Sequence, residues 1–134
     1  MINWLEKKRV IAFIFTLLMA IEIFYFSTIV SSPIGKQRID LIPILYHFIV
    51  FFLFSFFLFI TIKGNKKIKS KYILIVIIIS IIYAVLDEIH QSFVPNRDSS
   101  IKDVLIDTLG IFFSIIIYSN ANSIKKSEKT IPQY

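Results

Sequence analysis

The chain contains no cysteine, and this absence excludes disulfide bonds and metal sites built on thiolates. Only three glycines occur in 134 residues, so there is no glycine-rich loop of the kind that cradles phosphate groups. The spacings H-E-x-x-H and G-x-S-x-G are also missing. The sequence therefore carries no signature of a zinc protease, a serine hydrolase or a nucleotide-binding protein.

Acidic residues are scarce as well, with nine against fifteen Lys and Arg, which gives a net charge of +6. Hydrophobic residues make up 56% of the chain, and its mean hydropathy is +0.75. A soluble domain of this length could not bury so much apolar surface, so the composition indicates a membrane protein. The basic residues lie in short loops between apolar runs, which membrane topology explains better than nucleic-acid binding does. We expect no nucleic-acid partner.

Four apolar runs predict an all-α membrane protein, a compact bundle of four transmembrane helices in a single domain over 1–134. A helix needs about 20 residues to cross the hydrocarbon core. The predicted helices cover about 10–30, 42–62, 72–91 and 100–119, and a basic tail follows over 120–134. The third and fourth runs reach that length only if they include the polar residues near Gln91 and Ser100. The first run is too long for a signal-peptide core, and Pro33 follows its small-residue site, so we expect a retained helix.

The basic residues predict the orientation of the bundle. Eleven of them fall at the N-terminus, in the middle loop or in the tail, and four fall in the other two loops, as Lys36, Arg38, Arg97 and Lys102. Cytoplasmic loops carry an excess of Lys and Arg. Both termini are therefore predicted in the cytoplasm, with loops 31–41 and 92–100 outside.

Ionisable residues recur near the predicted outer end of all four helices. Glu22 lies about 12 Å below that end, and His47 and Asp107 lie about 8–11 Å below it, at 1.5 Å per residue. Asp87 and Glu88 lie in the last turns of the third helix. Charged residues inside a membrane are costly and usually face the bundle, where they pair or serve a function.

The spacing of these residues favours convergence on one site. On the fourth helix Asp103, Asp107, Gly110 and Ser114 form one narrow stripe, and small residues there permit close approach of another helix. On the third helix Tyr83, Asp87 and His90 share one face, with Glu88 and Gln91 on an adjoining face. A polar site between the helices is the predicted result.

Structural interpretations exist for several of these residues. Asp103 could complete a capping box with Ser100, and Arg97 could pair with Asp98 in an exposed turn. His47 could be a hydrogen-bonded histidine between helices. Glu22 could form a salt bridge with Arg97.

A cluster of carboxylates and histidine permits three kinds of chemistry. It could bind a divalent cation, run acid–base chemistry, or relay protons or hold a cationic ligand. The residues alone leave these alternatives open, and they identify no metal. The inner halves of the apolar runs carry no acid, which counts against a pathway across the membrane.

The block DEIHQSFVPNRDSSIKDVLIDTLG, residues 87–110, resembles the signature of the VanZ-like family. That signature has D-E-x-x-Q-x-F, then a proline and an arginine, and after a short spacer D-V-x-x-N-x-x-G. The matching positions here are Asp87, Glu88, Gln91, Phe93, Pro95, Arg97, Asp103 and Gly110, with His90 as in many members. Looser matches are His47-Phe48 in the second helix and Ser27 at the end of the first. The chain has Asp107 where the family usually has Asn, Asn96 where Gly is common, and Ser114 where Gly is frequent.

The resemblance implies a small bacterial membrane protein associated with resistance to glycopeptide antibiotics, especially teicoplanin. We expect a multi-pass protein of the bacterial cytoplasmic membrane, with the signature loop outside. Its expected partners are membrane lipid and a lipid-linked wall precursor or lipoglycopeptide. A membrane enzyme acting on such lipids, and a non-enzymatic scaffold or binding protein, are the alternatives.

The candidate site follows from this interpretation. Asp87, Glu88, His90 and Asp107 are the candidates for catalysis, and a divalent cation is a possible cofactor. The candidates for a binding pocket are Gln91, Arg97, Asp103, His47 and Glu22. Arg97 would engage an anionic headgroup through its planar donor fork.

Overall fold

Within residues 2–29, 41–97 and 99–128, which a computed structural model describes, the chain forms five helices and no strand. The first, α1, is short and covers Ile2–Lys7. The other four are long and apolar enough to span a membrane. They are α2 (Arg9–Thr28), α3 (Leu41–Lys63), α4 (Ser70–Gln91) and α5 (Ile101–Glu128). The predicted all-α class with four membrane-spanning helices is confirmed, and the chain is a multi-pass membrane protein.

Helix α5 is longer than the sequence predicts. The predicted helix ends near residue 119 and is followed by a tail, whereas α5 continues to Glu128 and its membrane-spanning part ends at Asn122. No proline or glycine interrupts residues 119–128, and the Asn122 side chain donates to the Tyr118 carbonyl over 3.3 Å. The helix therefore has no local reason to stop at the end of its apolar run. Residues 30–40, with Lys36, Arg38 and Asp40, and residues 129–134 lie outside the described ranges.

Local chemistry explains where the helices begin and end. Pro43 lies in the first turn of α3, where a missing N–H costs no helical hydrogen bond. Gly64 ends α3 with φ +53°, and its N–H donates to the Ile60 carbonyl over 2.8 Å. Asn96 adopts φ +60° in the turn after α4. Asn tolerates the left-handed region better than most residues, which explains how it replaces the family's common glycine.

Contacts between helices establish their relative directions. Helices α3 and α5 run parallel, because His47 meets Asp107 near their beginnings and Phe59 packs on Tyr118 further along. Helices α2 and α4 also run parallel, since Tyr83 donates to the Ala20 carbonyl over 2.7 Å and His90 stacks on Phe24. All the groups that form the site below therefore meet at one end of the bundle.

Small and hydroxylated residues line the contacts between helices. Ala12 and Thr16 on α2 and Ser80 and Ala84 on α4 are buried, while large aliphatic and aromatic side chains cover the outside. Lipid is as apolar as leucine, so membrane helices associate through close packing and hydrogen bonds rather than through burial of apolar surface. Helices α3 and α5 approach each other closely at Gly110, because a Cβ atom at this position would meet the carbonyl oxygen of Phe48 on α3.

Candidate functional site

The site is built around a buried pair between α3 and α5. His47 Nδ1 lies 3.0 Å from Asp107 Oδ1, and the two residues are 4% and 0% exposed. The close approach of the two helices at Gly110, one turn beyond Asp107, places them within hydrogen-bond distance. The second oxygen, Asp107 Oδ2, has no hydrogen-bond partner among the described residues.

Glu88 joins this pair from α4. Its Oε2 accepts a hydrogen bond from the Ser100 backbone N–H over 2.7 Å, and its Oε1 is buried without a partner in the described part of the chain. Ser100 is the N-cap of α5, because its hydroxyl accepts a hydrogen bond from the Lys102 N–H over 3.1 Å. The alternative in which Ser100 and Asp103 form a capping box is thus only half right. Ser100 caps the helix, but the acid that accepts a hydrogen bond from the Ser100 N–H is Glu88 of α4 and not Asp103.

The three residues form a compact group of possible metal ligands. One donor atom from each of His47, Glu88 and Asp107 lies within 4.8 Å of the other two, and all three residues are buried. One imidazole and two carboxylates are a ligand set that divalent transition-metal ions accept. The same set supports acid–base chemistry, since the Asp107 carboxylate orients the His47 ring through Nδ1.

A second network connects α4 to the end of α2. Asp87 Oδ2 accepts from the Gln91 side-chain amide over 2.7 Å, and Gln91 Oε1 accepts from Arg97 Nε over 3.2 Å. Arg97 Nη1 also donates to the Ile29 carbonyl over 3.3 Å. The alternative of a Glu22–Arg97 salt bridge is wrong, because Arg97 bonds to Gln91 and Ile29 and neither ion pair within the described ranges includes Glu22 or Arg97.

A cavity of about 510 Å³ opens beside both networks. Its polar lining consists of His47, Gln91, Asn96, Arg97 and Asp103, and its apolar lining consists of Phe26, Ile29, Ile42, Pro43 and Tyr46. The volume falls within the roughly 300–1,000 Å³ typical of ligand pockets. A polar side opposite an apolar side suits a ligand that is itself amphiphilic.

The remaining predicted residues lie apart from these contacts. His90 stacks on Phe24 with ring centroids 4.5 Å apart, and its Nε2 is buried without a partner among the described residues. Glu22 is half-buried on α2, on the side near Tyr46. Asp98, the proposed partner of Arg97, lies outside the described residues. The structure thus joins His47, Glu88 and Asp107 in one group and Asp87, Gln91 and Arg97 in another.

A polar network that the sequence does not predict lies at the opposite end of the bundle. Lys63 Nζ donates to Glu6 Oε1 over 2.8 Å and to the Tyr118 hydroxyl over 3.2 Å, and that hydroxyl donates to Glu6 Oε1 over 2.5 Å. Lys63 is 3% exposed, so a residue counted with the cytoplasmic loop is in fact buried at the end of α3. Burial by itself would raise the pKa of Glu6, but the hydrogen bonds from Lys63 and Tyr118 and the Lys63 charge outweigh it and lower that pKa.

Polar pairs occur at three levels along the α3–α5 contact. The Ser55 and Ser114 hydroxyls meet at 2.7 Å, midway between the His47–Asp107 pair and the Lys63 network. Successive levels are separated by about two helical turns, or roughly 11 Å. Since hydrogen bonds reach only about 3 Å, these side chains form no continuous proton relay by themselves.

The comparisons with known proteins agree with this structure. The chain matches the family model described as VanZ/LLP1 over residues 12–123. Neither a curated protein nor a solved structure gave a match. The matched range contains the block 87–110 and every residue of the two networks at this end of the bundle. Since the match covers most of the chain, the predicted resemblance is confirmed, and this multi-pass membrane protein belongs to the VanZ/LLP1 family.

Proposed function

We propose that this protein acts at the outer face of the bacterial cytoplasmic membrane, where it binds an amphiphile with an anionic headgroup and lowers sensitivity to teicoplanin. The observation that carries the proposal is the cavity between the ends of α2 and α4 and the beginnings of α3 and α5. Arg97 and His47 contribute to its polar lining, beside an apolar wall. Lipid-linked wall precursors and lipoglycopeptides combine the same two properties.

The distribution of basic residues supports an outward orientation. The opposite end of the bundle carries four exposed cations, which are Lys66, Lys67 and Lys69 in the middle loop and Lys71 at the start of α4. Positively charged loops remain in the cytoplasm. In this orientation the cavity opens towards the wall, where precursors and glycopeptides meet the membrane.

Arg97 is suited to be the anchor for the headgroup. Its described hydrogen bonds use Nε and Nη1, and a guanidinium carries five N–H donors in all. Gln91 and the Ile29 carbonyl fix the position of the group, so less conformational freedom is lost when a ligand binds. A planar, pre-oriented donor fork matches phosphate or carboxylate oxygens.

The buried His47–Asp107 pair favours a second candidate, a membrane enzyme that modifies the bound lipid. His47 borders the cavity, and Asp107 holds the ring through Nδ1, which leaves Nε2 as the other ring nitrogen. A histidine oriented by a carboxylate is the arrangement that general bases use. Binding and catalysis would then share one cavity.

Teicoplanin susceptibility of a sensitive Gram-positive host tests the proposal. The host would express the wild type, Arg97→Ala, Arg97→Lys or Lys102→Ala at matched membrane levels. Lys102 is a suitable control because it is an exposed cation at the same end of the bundle but does not line the cavity. We expect protection from the wild type and from Lys102→Ala, loss of protection with Arg97→Ala, and partial protection with Arg97→Lys. Equal protection by Arg97→Ala and the wild type would refute the role of the cavity.

Lipid and wall-precursor profiles of the same cells separate the two candidates. An enzyme would change the mass of a lipid or precursor in cells with the wild type, and this change would disappear with His47→Ala and with Asp107→Asn. A binding protein would leave all masses unchanged while it protects the cells.

A further inference from the structure

We propose that His47, Glu88 and Asp107 form a binding site for one divalent transition-metal ion of the Zn²⁺ type. The proposal is independent of the ligand of the cavity, because it concerns only these three side chains. They come from α3, α4 and α5, so the ion would connect three of the four spanning helices.

The strongest observation is that two buried carboxylate oxygens lack partners. Asp107 is fully buried and Glu88 is 7% exposed, yet Asp107 Oδ2 and Glu88 Oε1 accept no hydrogen bond from the described residues. Buried polar atoms in folded proteins are almost always satisfied by hydrogen bonds or by ions. These two oxygens belong to the same group of three residues whose donor atoms lie within 4.8 Å of one another. A bound cation would satisfy both oxygens and offset their negative charge.

The donor set selects the class of ion. An imidazole nitrogen is a good ligand for Zn²⁺ and its neighbours in the transition series, whereas Ca²⁺ takes six to eight oxygen ligands and Mg²⁺ keeps most of its waters. Three protein ligands with one open position are typical of zinc sites that also bind water or substrate. Two tetrahedral ligands that each lie about 2.1 Å from an ion are about 3.4 Å from each other. The three donor atoms now lie within 4.8 Å of one another, so each needs to move by about 1 Å to hold an ion.

The surroundings of the group hold its ligands in place and give access to them. The Ser100 N–H fixes Glu88 through Oε2 and leaves Oε1 available. Outer hydrogen bonds of this kind orient metal ligands. His47 borders the 510 Å³ cavity, and Glu88 borders a second cavity of about 390 Å³ between α4 and α5. An ion would therefore approach from the side of His47 or of Glu88, and the open position would accept water or a polar group from the first cavity.

Metal binding by the purified full-length protein tests the proposal. The protein would be prepared in detergent with a tag that contains no histidine, freed of metal with a chelator, and titrated with Zn²⁺ by calorimetry. We expect one ion per chain, and at least a tenfold loss of affinity in His47→Ala, Glu88→Gln and Asp107→Asn. His90→Ala is the matched control, because the only other histidine of the chain lies outside the group. Its affinity should equal that of the wild type.

Two further measurements on the wild type and on His90→Ala test the proposal even if some of the ligand variants fail to fold. Co²⁺ bound to the wild type should give visible absorption bands of a site with nitrogen and oxygen ligands, and Zn²⁺ should raise the melting temperature of the wild type and of His90→Ala. Circular dichroism without metal identifies which variants fold. The proposal is overturned if the wild type binds no Zn²⁺ at 100 µM, as expected if a proton satisfies the two oxygens instead. It is also overturned if folded Glu88→Gln or Asp107→Asn binds Zn²⁺ as tightly as the wild type.

Discussion

Replacing Gly110 by alanine should destabilise the bundle and separate the residues of the site. The added Cβ would meet the carbonyl oxygen of Phe48 and lie 3.2 Å from the Phe52 nitrogen, and both are backbone atoms that cannot rotate away. Since carbon atoms make favourable contacts at about 3.5–4.0 Å, the two helices must separate by about 1 Å. The His47–Asp107 hydrogen bond, now 3.0 Å, would then exceed the usual limit.

Two opposing effects determine whether Gly110→Ala makes the protein more or less stable. Alanine favours a helix over glycine by about 1 kcal/mol. Overpacking typically lowers the free energy of unfolding by about 1–3 kcal/mol. We expect a loss in the upper half of that range, because backbone atoms have to move. The net loss should be about 1–2 kcal/mol, measured by equilibrium unfolding in mixed micelles.

The site itself gives a second measurement for the same variant. The chain has only two histidines, so the imidazole NMR signals of His47 and His90 can be assigned with His90→Ala. Gly110→Ala should shift the His47 signal. Ser114→Ala is the control. Ser114 lies on the same stripe of α5 as Gly110, and its replacement removes the 2.7 Å hydrogen bond to Ser55 without adding an atom. A Gly110→Ala protein that is more stable than the wild type, with an unchanged His47 signal, would show that α3 and α5 leave room for a methyl group at this position.

Two further predictions concern the ends of the bundle. Glu6→Gln leaves the Lys63 cation buried without its partner, so unfolding in mixed micelles should show a loss of about 3–5 kcal/mol. Because the pKa of Glu6 is lowered from its ordinary 4.5, the difference in stability between wild type and Glu6→Gln should be complete above pH 4.5 and shrink as the pH falls below it. Ser100→Ala removes the cap on the Lys102 N–H and should cost about 1 kcal/mol in the same assay, while circular dichroism at room temperature stays unchanged.

Periodicity and depth were enough to predict much of the site. The spacing of Asp103, Asp107, Gly110 and Ser114 predicts one stripe on the last helix. The last three are buried against α3, whereas Asp103 is half-buried and lines the cavity. The agreement in depth among the ionisable residues of the four helices predicts a shared polar site, and two of these residues, His47 and Asp107, form a hydrogen bond. Both inferences use only the rise and twist of a helix, which lipid-spanning segments follow closely.

Contacts that depend on chain turns or on distant segments could not be predicted. The bond from the Ser100 N–H to Glu88 depends on how the turn after α4 folds back, which helical spacing does not describe. Lys63 looked like a loop cation because its partner Glu6 is 57 positions away in a short helix without a periodic pattern. The extension of α5 past residue 119 was missed because a change from apolar to polar composition is not a helix stop signal.

Labelling of single cysteines determines whether the polar site faces outward. The chain has no cysteine of its own, so Ser99→Cys and Lys66→Cys each introduce one thiol at an exposed position, at opposite ends of the bundle. Intact cells would be treated with a maleimide that cannot cross the membrane. If the polar site faces outward, Ser99→Cys is labelled at once and Lys66→Cys is labelled only after permeabilisation. Labelling of Lys66→Cys but not of Ser99→Cys in intact cells would place the site on the cytoplasmic side of the membrane and contradict an outward-facing site.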